Sequence, residues 1–191
     1  LCPNLAHVAL VVTWFGDDLR AGACRIMPRT EPNSADAAPH PWSVAGLVRA
    51  TAETVSLVNG VAAFGGTPSD GSVIRAIRDL KARGLKVTLY PFVMMDVPNG
   101  NRRPDPWTGA PSQPVYPWRG RITCDPAPGR PGTADSTGEA AAQVEALFGA
   151  CTAAQFVADG DGVVYTGPAE WGLRRLVLHT AALGRAAGGV D

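Results

Sequence analysis

The sequence has no excess of charge of either sign: 17 Lys and Arg balance 17 Asp and Glu over 191 residues. That balance leaves no basic footprint for nucleic acid. It leaves no basic face for an anionic membrane either. Long hydrophobic runs are also missing. The longest, Val8 to Phe15, is far too short to cross a bilayer, so no membrane insertion is expected. No signal-peptide layout opens the chain. The first residue is Leu1 rather than Met, which suggests a piece of something longer. Cysteines are few: Cys2, Cys24, Cys124 and Cys151. They form no CxxC pair and have no His at ligand spacing, so no zinc site, and no metal or cofactor of any kind, is expected. Free thiols are the simpler reading, with a Cys2–Cys24 disulfide left open.

Aromatic residues make up only 7% of the chain, yet five of them are Trp. Gly (22) and Pro (17) are plentiful, so long irregular segments are expected. The length suits one domain over residues 1–191 with a real core.

Two stretches read as buried parallel strands. His7 to Trp14 (HVALVVTW) and Leu85 to Met95 (LKVTLYPFVMM) are short, β-branched and nearly all apolar. Between them, Thr67-Pro68-Ser69-Asp70 starts a helix, with Thr67 as cap and Asp70 at its positive end. Val73, Ile74, Ile77 and Leu80 form its apolar stripe, and Gly84 ends it. Helix, glycine, short loop and apolar strand make half of a βαβ unit. Residues 21–41 lack a period, and 42–58 fits either a helix or a strand pair. Further helices are expected over Glu139 to Phe156 and Pro168 to Ala187. The second of these carries Trp171, Leu176, Val177, Thr180 and Leu183 inward. Val190-Asp191 reads as the first step of another strand.

In parallel α/β barrels the working groups sit at the carboxyl ends of strands. The first strand offers Trp14, Asp17 and Asp18 there; the second offers Tyr90 and Asp96. The long segment 96–138 adds Trp107, Tyr116, Trp118, Arg119 and Asp125. A loop of that length is functional or disordered, and its aromatics and arginines argue against disorder. Trp and Tyr stack on sugar faces while Asp and Arg take the hydroxyls, so this set fits a carbohydrate groove. The same aromatics could equally pin a loop onto the barrel rim. Glycoside hydrolysis needs two facing carboxyl groups. Only Asp17, Asp18, Asp96 and Asp125 are available, and no Glu follows a readable strand. Gly65-Gly66-Thr67-Pro68 lacks the phosphate-loop pattern and reads as a turn plus cap. His7, His40 and His179 are scattered, with His179 expected to be an ordinary helix residue.

The segments VTWFGDDLRAGACRI, GGTPSDGSVIRAIRDLKARGLKVTLYPFVMMDVP, YPWRGRITCDPAPG and GPAEWGLRRLVLHTAALGRAAGGVD together resemble a known family. It is the TIM-barrel-like, glycoside-hydrolase-like domain of gene transfer agent and phage-tail host-specificity proteins. The likeness covers nearly the whole chain, with Glu31 to Asn59 least distinctive. It implies an α/β fold forming the N-terminal portion of a TIM-type (β/α)8 barrel, incomplete in this chain. It implies a phage-like particle tail as the setting, other tail and baseplate proteins as partners, and contact with cell-envelope glycans. A remoter likeness to β-mannanase-type barrels implies catalytic Glu residues after the fourth and seventh strands, beyond Asp191. On that basis the chain alone is expected to be inactive. Asp96, Trp118 and Arg119 are the groove positions the likeness carries over. The rival readings are an inert structural barrel for tail assembly and a piece of a free-standing glycosidase.

Overall fold

The computed structural model of the chain describes residues 3–32, 35–36, 39–115 and 121–191. Its frame is a parallel pair of ten-residue strands, β1 (His7–Gly16) and a later strand Lys86–Met95, paired from His7↔Lys86 to Gly16↔Met95. Strands this rich in Val, Leu and Phe suit a pleated, half-buried surface. A two-residue strand, β2 (Ile26–Met27), pairs antiparallel with the end of β1 at Phe15↔Met27.

Three small hairpins leave this frame. β3 (Ser43–Val44) and β4 (Leu47–Val48) pair across Ala45-Gly46, whose φ angles are 51° and 86°. β5 (Leu57–Val58) and β6 (Val61–Ala62) pair across Asn59-Gly60, at 52° and 79°. Two successive positive φ values define the two-residue turn whose twist matches its flanking strands. Residues 42–58 therefore adopt the strand-pair alternative, not the helix. With these counted, Lys86–Met95 is β7. The third hairpin joins β8 (Phe156–Asp159) to β9 (Gly162–Tyr165).

Helix α1 spans Asp70–Ala82. Its cap is Ser69, whose side chain accepts from the Ser72 N–H, and not Thr67. Thr67 is instead turned to the sheet, where its hydroxyl donates to the Thr13 carbonyl at 2.8 Å. The expected stripe holds: Val73, Ile74 and Ile77 are buried, and Leu80 packs against them. Gly84 follows at φ 78°, the conformation expected of a residue ending a helix.

Helix α2 runs only from Gly138 to Phe148, because Gly149 (φ 71°) stops it and Phe156 already belongs to β8. Helix α3 spans Leu173–Ala186, starting later than Pro168. Leu176, Thr180 and Leu183 are buried on it as expected, whereas Val177 is 44% exposed. One core joins α1 and α3 to a single face of the sheet through Val12, Ile74, Ile77, Val87, Ala182 and Leu183. A second lies around the strand ends, with Trp14, Leu19, Ile26, Trp42, Val44, Met95 and Leu176.

Both helices cover the same sheet face, so the strands are not buried on both sides. Val11 is 53% exposed and its cross-strand neighbour Tyr90 is 55% exposed. The edge of β7 away from β1 is already engaged at its start. Lys86 N–H donates toward β1, to the Ala6 carbonyl, so the N–H and C=O of Val87 face the other edge. There the Asp191 N–H donates to the Val87 carbonyl at 2.8 Å, and the Asp191 carboxylate accepts the Val87 N–H at 2.9 Å. The described residues form a mixed α/β fold with small sheets and no closed barrel.

Candidate functional site

The carboxyl ends of β1 and β7 meet in a cluster of acids and arginines. Asp17 and Asp18 follow β1 directly and are 2% and 3% exposed. Asp96 follows β7 and is fully buried. The Asp96 N–H donates to the Gly16 carbonyl at 2.8 Å, the last rung of the parallel ladder before the chain leaves the sheet.

Each acid is held by arginine. Arg25 grips Asp17 through Nη2 at 2.7 Å and through its own backbone N–H. Arg20 grips Asp18 with Nε at 3.0 Å and Nη2 at 2.7 Å, the two-pronged geometry that guanidinium offers a carboxylate. Arg29, itself buried, reaches Asp96 at 2.6 Å. Glu53 bridges Arg25 and Arg29 at 3.1 and 3.2 Å. Arg103, from the long loop, donates to the Asp17 carbonyl and lies 3.5 Å from its carboxylate. Gln113 completes the set: its amide donates to Asp18 Oδ1 at 2.6 Å and its oxygen accepts the Leu19 N–H. Burial pushes the Asp18 carboxyl upward, but the hydrogen bonds from Arg20 and Gln113 outweigh it and hold the group below the usual range. A carboxylate so held stays ionised and is a poor proton donor at neutral pH.

The described parts of the long loop are tied to the strand ends and to one another. Thr123 pairs with Arg20, with Ala21 N–H donating to the Thr123 carbonyl and Thr123 N–H to the Leu19 carbonyl. Asp105 ties its own turn by accepting the N–H groups of Trp107 and Thr108. Trp107 is half-buried, donates from its indole to the Arg121 carbonyl, and carries the Arg121 guanidinium 4.7 Å above its ring. Asp125 exchanges backbone bonds with the Gln143 side chain beside a shallow groove of about 220 Å³.

The sequence-derived candidates thus separate. Asp17, Asp18 and Asp96 lie within one arginine-linked network. Trp14 is fully buried, edge-on to Trp171 at 5.6 Å, and has no surface left to stack on a sugar. Tyr90 lies mid-strand on the open sheet face, not at the strand end. Trp107 and Asp125 lie on the loop side. Tyr116, Trp118 and Arg119 fall outside the described residues. Cys24, Cys124 and Cys151 are free thiols, and Cys2 also falls outside. No cluster of His, Cys, Asp and Glu among the described residues has the arrangement of a metal site. No described helix is long and apolar enough to cross a membrane.

A second polar constellation was invisible in the linear pattern. His179, fully buried on α3, places Nε2 2.8 Å from Asp70 Oδ1 at the start of α1. The other Asp70 oxygen accepts the N–H groups of Ala45 and Val163. Arg175, one turn before His179, donates to the Ala45 carbonyl and is sandwiched between Tyr165 and Trp171 at 3.9 and 3.6 Å. Burial pulls its guanidinium below the usual arginine range. The short spacing of Asp17, Asp18, Arg20, Arg25 and Arg29 was the one available hint of the first network; nothing in spacing pairs Asp70 with His179.

No protein family and no curated protein matches this chain.

Proposed function

We propose that the chain is the opening part of a glycoside-hydrolase-like (β/α) barrel from a phage-like or gene transfer agent tail baseplate protein. In these residues the hydrolase shape serves assembly with other tail proteins, not bond cleavage. The observation that carries this reading is the arginine pairing of Asp17, Asp18 and Asp96, which ties all three strand-end acids into ion pairs with arginines of the same chain. The winding supports the barrel part of the proposal. β1 and β7 are adjacent and parallel, Asp191 joins the far edge of β7, and α1 and α3 share one face. A singly wound order of this kind is the way a barrel begins, whereas doubly wound sheets carry helices on both faces.

A second reading, glycan contact without cleavage, draws on Trp107 capped by Arg121 and on the groove beside Asp125. Incubation of the full chain with peptidoglycan and β-mannan, with reducing ends and retention both measured, tests the two. The assembly reading expects neither release nor retention. Retention lost in Trp107→Ala would establish glycan contact instead. Release of reducing ends that disappears in Asp17→Asn or Asp96→Asn would overturn both.

A further inference from the structure

Two Asn-Gly pairs lie in exposed turns, and their local geometries differ. Asn59-Gly60 forms the tip of the β5–β6 hairpin, where Asn59 sits at φ 52° inside a turn closed by the Val58↔Val61 pair. Asn99-Gly100 lies just after β7, in the loop that follows Asp96, and both residues are exposed. Here the Gly100 backbone nitrogen lies 2.8 Å from the side-chain oxygen of Asn99 itself. The Asn99 amide is therefore folded over its own peptide bond to Gly100, beside the one backbone nitrogen that can close a five-membered ring on Cγ. The residue after Gly100 pins the loop around this turn. Asn101 donates to the Pro98 and Gln113 carbonyls, both at 3.0 Å, and accepts the Gln113 and Arg103 N–H groups. Holding reacting atoms near contact lowers the barrier of an intramolecular step. Gly100 adds no side chain to obstruct the approach.

We propose that Asn99 is a modification site at which the chain deamidates spontaneously. The Gly100 nitrogen gives up its proton and bonds to Asn99 Cγ, the Cγ–Nδ2 bond breaks, and ammonia leaves with a proton. Water then opens the resulting succinimide at either carbonyl, giving aspartate or isoaspartate. The net change is one water taken up and one ammonia released, and no oxidant or cofactor is involved. Conversion adds a carboxylate to the turn and, in the iso form, a methylene to the backbone. Asn101 passes that shift to Gln113 and Arg103, which are the loop's contacts with Asp18 and Asp17.

The test is ageing of the full chain in mildly alkaline buffer, with peptide mass mapping and isoaspartate detection. The Asn99 peptide should gain about one dalton at least about fivefold faster than the Asn59 peptide, with isoaspartate among the products. Asn99→Gln should abolish that gain, since its ring would need six members. Gly100→Ala should slow it about tenfold; a Cβ there meets nothing within 4 Å, and its one cost is the backbone strain of a side chain at φ 70° in an exposed turn. Equal or faster conversion at Asn59, a product containing aspartate alone, or no conversion at Asn99 would each overturn the proposal.

Discussion

Arg29 Nη1 lies 2.6 Å from Asp96 Oδ2, and both side chains are almost wholly withdrawn from water. Asp96 Oδ2 also accepts the Ser56 N–H at 3.0 Å, so one carboxylate joins the end of β7, the segment after β2 and the approach to the β5–β6 hairpin. Removing one member of a buried pair leaves the other charge without compensation, at a cost of about 3–5 kcal/mol. Arg29→Met should therefore lower the urea midpoint sharply. Arg29→Met combined with Asp96→Asn should recover part of the loss, because no net charge is then stranded. A single variant that unfolds at the wild-type midpoint would contradict this role.

The frame of the fold was legible because its signals are local. Two apolar β-branched runs, a helix with an apolar stripe and Gly84 at its end each depend on a few neighbouring residues. Helix ends were less legible where tertiary contacts decide them: Thr67 was taken from the cap position by the Thr13 carbonyl, and Phe156 was drawn from a helix into β8. Asn59-Gly60 has the residue types of a two-residue hairpin turn, whereas Ala45-Gly46 does not, since alanine rarely takes a positive φ. The sequence placed Asp17, Asp18 and Asp96 at strand ends. It could not show that Arg20, Arg25 and Arg29 would turn back onto them, because that depends on how the β1–α1 excursion folds.

The Asp70–His179 contact joins the first and last helices across 109 positions of sequence. Asp70 accepts from His179 and from two backbone N–H groups and also lies at the positive end of α1. Asp70→Ala strands buried donors of about 1–3 kcal/mol and removes the favourable helix-end charge. A loss of about 2–4 kcal/mol in chemical unfolding is expected, by the same principle of stranded buried donors. Asp79→Ala, on an exposed pair of the same helix, should cost under about 1 kcal/mol. Similar losses for the two would count against the buried pair.

The glycines at helix boundaries should respond with opposite signs. Gly84 has φ 78° with open space around it, so Gly84→Ala meets backbone strain alone and should cost about 1 kcal/mol. Gly138 opens α2 with equally open space and no positive φ, so Gly138→Ala should stabilise by about 0.5–1 kcal/mol. Thermal melts of the two variants read the difference directly.

The described thiols should differ in reactivity. Burial pushes Cys24 up to about 12, and burial also raises Cys151. Cys124 is only half-buried. Since the thiolate is the reacting form, iodoacetamide should label Cys124 before either of the others in the native chain. Mass mapping after brief exposure checks the order, and early labelling of Cys24 would show that its site opens readily.

The arginine clamp on Asp18 has a pH signature whose direction is fixed. Its folded-state carboxyl lies below the ordinary Asp value of 3.8, so the folded state favours the ionised form more than the unfolded chain does. The resulting stability is fully present above 3.8 and fades as pH falls through the lower folded value. Asp18→Asn removes this contribution. The urea-midpoint gap between wild type and Asp18→Asn should therefore be constant from neutral pH to about pH 5 and close progressively as the acid range is entered. Arg20→Met should show the same closing gap, since Arg20 supplies two of the bonds that hold the carboxylate charged. A gap that widens on acidification would mean that the folded state favours protonated Asp18, which reverses the proposed origin of the clamp.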